Sequence, residues 1–273
     1  MEGKTMWRKR YLKVLNSITI ICVVIGCMIN MLKFAGMAVF SFFKNSDSAV
    51  MTEGGGDLEG FSDIDAELKY GELIVKYGDS YSFSYDNYPQ GSEPTFKIKN
   101  NKLEIRQKGK VGFNLLGNNN FDGKVIVTLP QDTVADMELN LNMGSLNLSD
   151  MYFGNINVDA DMGSITIKNC EMEKVNLQAD MGSIDLIDCE FTDGDFDANM
   201  GGITLKDCSF QTADCDADMG SIEVSGVYDA LTADCDMGSI KAENSNENAK
   251  YDLDCDMGDI KVNGKKLGKE YKN

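Results

Sequence analysis

The sequence predicts an all-β chain built mainly as a parallel β-solenoid, and three observations carry that expectation. Met-Gly pairs recur with their glycines at Gly144, Gly163, Gly182, Gly201, Gly220, Gly238 and Gly258, at spacings of 19, 19, 19, 19, 18 and 20 residues. A period this regular marks stacked structural units that bury their apolar faces against one another. Before each glycine the side chains alternate as in a strand: Val158, Ala160 and Met162 are apolar, and Asp159 and Asp161 between them are polar. After the glycine the apolar positions change phase, as at Ile165 and Ile167, so the glycine marks a corner where a residue without Cβ suits a bending backbone.

Each unit has a third side. Cys170, Cys189 and Cys208 follow their glycines by seven residues, with Met172, Phe191 and Phe210 two positions later. About 19 residues per turn, several short strands and a glycine corner describe one solenoid rung, and seven rungs stacked at about 4.8 Å give a rod of roughly 30–35 Å. The rungs are expected over residues 136–264. The methionines from Met143 to Met257 read as inward core residues, because an adaptable thioether fills irregular gaps well. A soft-metal ladder is the alternative reading of the same column.

Residues 61–135 read as a strand-rich cap. "FSDIDAELKYGELIVKYGDSYSFSYDNY", "TFKIKNNKLEIRQKG" and "GKVIVTLPQD" alternate like short antiparallel strands with Asn- or Gly-containing turns. A solenoid needs its open core end covered. The tyrosines Tyr70, Tyr77, Tyr81, Tyr85 and Tyr88 belong to the core of this cap, with a binding surface as the alternative. The basic tail at 265–273, with Lys265, Lys266, Lys269 and Lys272, blunts the other end.

The first residues follow a different logic. Residues 1–13 are basic, and an uncharged 19-residue apolar run from Val14 to Leu32 follows, extended by Phe34 to Phe43. That length suits one transmembrane helix with an interfacial extension over 14–43. The basic cluster stays cytosolic and the rest of the chain lies outside the membrane, joined through a flexible linker at 44–60. A cleaved signal peptide and a buried core helix are the alternatives.

Composition narrows the function. The chain has no histidine, which removes the Ser-His-Asp triad and all His-based metal sites. Its net charge is −18, and from Asp136 onward 29 acids face ten bases, so nucleic acid is excluded as a partner. The sole tryptophan, Trp7, lies on the cytosolic side and offers the rod no platform for sugar stacking.

With a basic start, one span, a strand-rich segment, "KVIVTLP" at Lys124 to Pro130 and then "LNLNMGSLNL" with its rungs, the chain resembles the bacterial putative-adhesin family of β-strand-repeat proteins, a domain of unknown function. The resemblance covers about residues 60–265. It implies an extracytoplasmic β-solenoid and an adhesive role, and it supplies no catalytic motif. The regularity of Asp-Met-Gly-Ser-Ile and the run of cysteines depart from the family pattern.

The outward acids are the candidate site. Asp159, Asp161, Asp180, Asp197, Asp216, Asp218, Asp234, Asp236, Asp254 and Asp256 fall into two columns, interrupted by Asn142, Gln178 and Asn199. Carboxylates stacked at about 4.8 Å could chelate calcium through oxygen pairs from successive rungs. The plainer reading is a solvated face. Of eight cysteines, Cys22 and Cys27 fall in the apolar run; the other six read as buried free thiols, since parallel in-register neighbours aim poorly for a disulfide. A polysaccharide-acting enzyme is third, because a catalytic acid pair should break the repeat at one place, whereas here the acids are the repeat. The expectation is a non-enzymatic, membrane-anchored envelope adhesin, scaffold or stress sensor. It carries no cofactor apart from the calcium alternative, and binds an envelope protein or wall polymer.

Overall fold

The computed structural model describes residues 51–108, 122–131 and 133–273. They form 21 strands hydrogen-bonded into one continuous wrapped sheet, with no helix among the described residues. The expected span at 14–43, the basic segment at 1–13 and Cys22 and Cys27 lie outside the described residues.

A rung consists of a long strand, a Met-Gly-Ser corner, a short strand and a second corner. Tyr152–Met162 leads to Ile165–Lys168, Glu171–Met181 to Ile184–Ile187, and Glu190–Met200 into Ile203–Met219. Equivalent strands pair in parallel, with register shifts only between Phe153 and Ile156 and between Leu205 and Cys208 among the rung pairings. Val158, Leu177, Phe196, Cys215, Ala233 and Leu253 share one register position, and Ile165, Ile184, Ile203, Ile222, Ile240 and Ile260 share another. Both columns are buried. Each large aliphatic residue in them contributes about 1.5–3 kcal/mol by leaving water. Phe191, Phe210 and Tyr228 stack in a third column with ring centroids 4.9 and 4.7 Å apart, which is the rung spacing itself.

The two corners have different causes. None of the seven repeat glycines has positive φ. They are glycine because the chain passes too close: a Cβ on Gly163, Gly182, Gly201, Gly220, Gly238 or Gly258 would lie 1.6–1.9 Å from the carbonyl oxygen of the preceding repeat glycine. The glycine N–H in turn donates to the methionine carbonyl of the next rung, as Gly163 does to Met181 at 3.1 Å and Gly201 to Met219 at 3.0 Å. The left-handed backbone sits at the second corner instead, at Asp150, Asn169, Asp188 and Asp207, with φ of 59°, 52°, 54° and 55°. Asn and Asp tolerate that region better than other residues with a Cβ.

The methionine column is not core, contrary to its alternating pattern. Met162, Met181, Met200 and Met257 are 39%, 38%, 38% and 48% exposed. Met143, Met219 and Met237 are half-buried. Alternation holds through Ala160, fully buried, and Asp161, exposed, and then breaks at Met162 rather than at Gly163. The reason is space. The wrapped sheet closes on itself at this corner, and the last inward slot takes only Ala160, Ala179, Ala198, Ala217, Cys235 and Cys255. The Cys235 sulfur already lies 3.0 Å from where a Gly238 Cβ would be.

The cap region also differs from expectation. Asp63–Leu68 pairs in parallel with both Ala135–Leu141 and Lys102–Gln107, and Gly71–Gly78 does the same with Gly144–Ser149 and Lys124–Pro130. The solenoid therefore continues into this segment by two further levels, stacked out of chain order. Gly71 occupies the glycine corner beside Gly144, and Gly123 follows it, its carbonyl oxygen 2.7 Å from where a Gly71 Cβ would stand. Antiparallel strands cover the outside of these levels: Pro94–Lys99 on Lys102–Gln107, and Ser82–Pro89 on Lys124–Pro130. Met51–Asp57, expected within a flexible linker, is a strand paired antiparallel with Ser82–Pro89. Tyr70 and Tyr88 are buried, and Tyr77, Tyr81 and Tyr85 pack against the same core.

At the other end Lys265–Gly268 and Glu270–Lys272 fold back antiparallel on Ile260–Val262 and Lys250–Met257. Lys266 pairs with Asp259 at 2.6 Å, Lys272 pairs with Asp252, and Lys269 donates to the Asp256 carbonyl.

Candidate functional site

The rungs turn a sequence period into linear columns of like chemistry. Asp159, Gln178, Asp197, Asp216, Asp234 and Asp254 stand in register on the outer side of the long strands. Asp161, Asp180, Asn199, Asp218, Asp236 and Asp256 flank them one outward position later. Parallel pairing brings these acids together as neighbours along each column, as the spacing implies. Asn199, which interrupts one column, bonds to the acid beside it: its Nδ2 donates to Asp180 Oδ1 at 2.8 Å.

Crowding shows in the proton affinities. Asp216 is pushed up to about 6, first by partial burial and then by the charges of Asp234, Asp197, Asp218 and Asp236. Asp159, Asp197 and Asp214 move in the same direction, again by burial first and acidic neighbours second. Among the described residues no group of three or more Cys, Asp or Glu side chains is placed to hold a metal ion. The columns are thus a strongly anionic strip rather than a closed cage.

A second acidic feature escaped sequence reasoning. The left-handed corners and the strand starts beside them enclose a shallow groove of about 410 Å³, which includes Asp150, Asn169, Asp188, Asp207, Glu171 and Glu190. Asn169 Nδ2 donates to Asp150 Oδ1 at 2.5 Å across adjacent rungs. The signal was available as an Asn or Asp at 19-residue spacing before Cys170, Cys189 and Cys208. It was masked by reading the cysteines alone.

Cys170 and Cys189 line the same groove. All six described cysteines are free and buried. Cys170, Cys189 and Cys208 donate their S–H groups to the carbonyls of Lys168, Ile187 and Lys206 at 3.2, 3.3 and 3.4 Å. Burial pushes the Cys170 and Cys235 thiols up to about 12, so the reactive thiolate is scarce at neutral pH.

The Toastrack DUF4097 family model matches residues 61–273, covering every described rung and both caps. The chain belongs to the Toastrack DUF4097 family. No curated protein matches it. Among solved structures, this Toastrack chain is similar to a putative adhesin from Bacteroides fragilis, at 15% identity and a TM-score of 0.58, over 79% of this chain and 97% of that one. A putative cell adhesion protein from Clostridium sporogenes matches at 13% identity and a TM-score of 0.48, over 64% of this chain and 99% of that one. A putative lipid binding protein from Parabacteroides distasonis matches at 15% and 0.46, over 80% and 96%. The Bacteroides likeness shows a shared fold.

Proposed function

We propose that this Toastrack chain is a non-enzymatic rod of the bacterial cell envelope, an adhesin or scaffold. It is anchored by the apolar segment at 14–43 and displays residues 51–273 outside the membrane to an envelope protein or wall polymer. The observation that carries this reading is the in-register repetition of identical surface chemistry along the rungs, closed at both ends by antiparallel strands. Repeated identical sites match a ligand that is itself repetitive, whereas catalysis needs one singular arrangement of groups. The names of the Bacteroides and Clostridium neighbours agree with adhesion. An anionic strip selects cationic partners, and such binding weakens with salt.

The test is sedimentation of the full-length chain, in lipid nanodiscs, with isolated cell walls. Binding should fall when ionic strength is raised and when Asp216, Asp218, Asp234 and Asp236 are changed to Asn. Unchanged sedimentation in that variant, or none with the unaltered chain, refutes the proposal. Protease added to intact cells should degrade the solenoid; a protected solenoid refutes the topology.

The mutual repulsion at Asp216 favours one second reading, a calcium-binding strip, since a divalent cation would relieve it. Calcium at about 100 times its dissociation constant would add roughly 2.7 kcal/mol of stability. A rise in melting temperature with calcium, absent with magnesium or matched salt and lost in the four-Asn variant, is the expected signature. A rise that salt reproduces rejects it.

A further inference from the structure

Apart from Met143, which packs against the core, the methionine column has no part in the adhesive reading or in the buried core, yet it is a highly regular surface feature of the described residues. Met162, Met181, Met200, Met219, Met237 and Met257 pair in strict register, one per rung. Their backbones are held on both sides: each rung's methionine carbonyl accepts from the repeat glycine of the rung before, at 3.0–3.2 Å from Met181 to Met257. The side chains stand at the surface, with Met162, Met181, Met200 and Met257 exposed by 38–48%.

We propose that this column is a soft-metal site, an open thioether ladder that takes Cu(I) or Ag(I) between methionines of adjacent rungs. Three arguments support it. Thioethers are soft ligands that select Cu(I)-like ions over calcium or magnesium. The spacing fits: two metal–sulfur bonds in a line, each about as long as the ~2.3 Å zinc–thiolate bond or somewhat longer for the larger silver ion, span about 4.6 Å or slightly more, close to the ~4.8 Å rung repeat, and three rotatable bonds let each thioether adjust. The charge fits as well. Asp161, Asp180, Asp218, Asp236 and Asp256 each directly precede a ladder methionine, so a cation arrives in an attractive field. The same carboxylates disfavour an apolar partner, which would have to strip them of water. The six described cysteines, the other soft donors, are buried. The ladder is therefore the accessible sulfur of the described residues.

Silver nitrate titrated into the full-length chain in lipid nanodiscs, in chloride-free buffer, tests the site. The chain carries 13C-labelled methionine methyl groups, and affinity is read in parallel by equilibrium dialysis. The methyl signals of Met181, Met200, Met219 and Met237 should shift together, and calcium at the same concentration should leave them in place. Changing those four residues to Leu conserves volume and should be tolerated, while silver affinity falls at least tenfold. Silver binding with unmoved methyl signals, or with affinity unchanged in the Leu variant, would place the metal on the thiols and overturn the proposal. Methyl signals that ignore silver but respond to the apolar dye anilinonaphthalene sulfonate would make the column a docking face, and that also overturns it.

Discussion

At Gly201 a Cβ would lie 1.8 Å from the Gly182 carbonyl oxygen, and backbone on both sides is fixed by ladder hydrogen bonds. Neither partner can yield without breaking register, so Gly201→Ala should cost about 3 kcal/mol or more in urea unfolding, at the upper end of overpacking effects. Gly202 beside it is different. Its equivalents on other rungs are Ser164, Ser183, Ser221 and Ser239, and a Cβ there meets nothing closer than the Ser221 carbonyl at 3.0 Å. Gly202→Ser restores the motif and removes chain entropy from the unfolded state, so its stability should stay within about 0.5 kcal/mol of the parent or rise slightly. Equal losses at both positions would mean that the close approach is not what selects glycine. The same pair shows what a single residue reveals before its structure is known. The period located the corner, and the backbone does bend at Gly163, but strand alternation alone assigned Met162 inward. That error has a plain cause, since alternation counts positions and carries no information about the width of the slot into which a side chain must point.

Along one column of a strand face, stacked carboxylates make stability depend on pH in a direction opposite to that of salt-bridged acids. Asp216 is raised from an ordinary 3.8 to about 6 by burial and by its acidic neighbours. Over that window the folded chain holds a proton that the unfolded chain has released. The stabilisation is complete below about pH 4 and is lost as the pH rises through about 6. Asp159, Asp197 and Asp214 act in the same sense. The melting temperature should therefore climb as the pH is lowered from 7 to 5. Asp216→Asn should raise it at pH 7 and flatten the climb. A melting temperature that falls over that interval, or a slope unchanged in the Asn variant, would show that the column is neutralised by other means. These acids were legible from spacing alone, because parallel pairing carries a 19-residue period directly into a column. The Asn and Asp of the second corner carry the same period, but that they enclose a groove follows only from the left-handed backbone at Asp150, Asn169, Asp188 and Asp207.

A solenoid's ends decide whether it remains a single molecule, because every interior rung is an edge already satisfied by its neighbours. The amino-terminal end shows how far this need reshapes the chain. Asp63–Leu68 is inserted between Lys102–Gln107 and Ala135–Leu141, so the levels run out of chain order. No local pattern announces that order, because Ile64, Ala66 and Leu68 alternate equally well in a parallel or an antiparallel strand. The carboxyl-terminal end offers the cleaner test. Lys265–Gly268 and Glu270–Lys272 cover part of the last rung by antiparallel pairing, and their lysines neutralise Asp252 and Asp259. A chain ending at Val262 would leave the edges of Lys250–Met257 and Ile260–Val262 open, and because antiparallel strands cover the other end of the stack, the matching open edge of a second truncated copy is the available partner. Unpaired strand edges of this kind recruit further strands. The truncated chain should associate end to end in a concentration-dependent manner, seen as a rising mass in light scattering, while the intact chain stays at constant mass under the same conditions. Raising ionic strength should promote that association, since the rods carry a strong negative charge and repel one another less when screened. A truncated chain that scatters as the intact one does, at every concentration, would mean that the last rung closes itself and that the lysine tail serves charge balance alone.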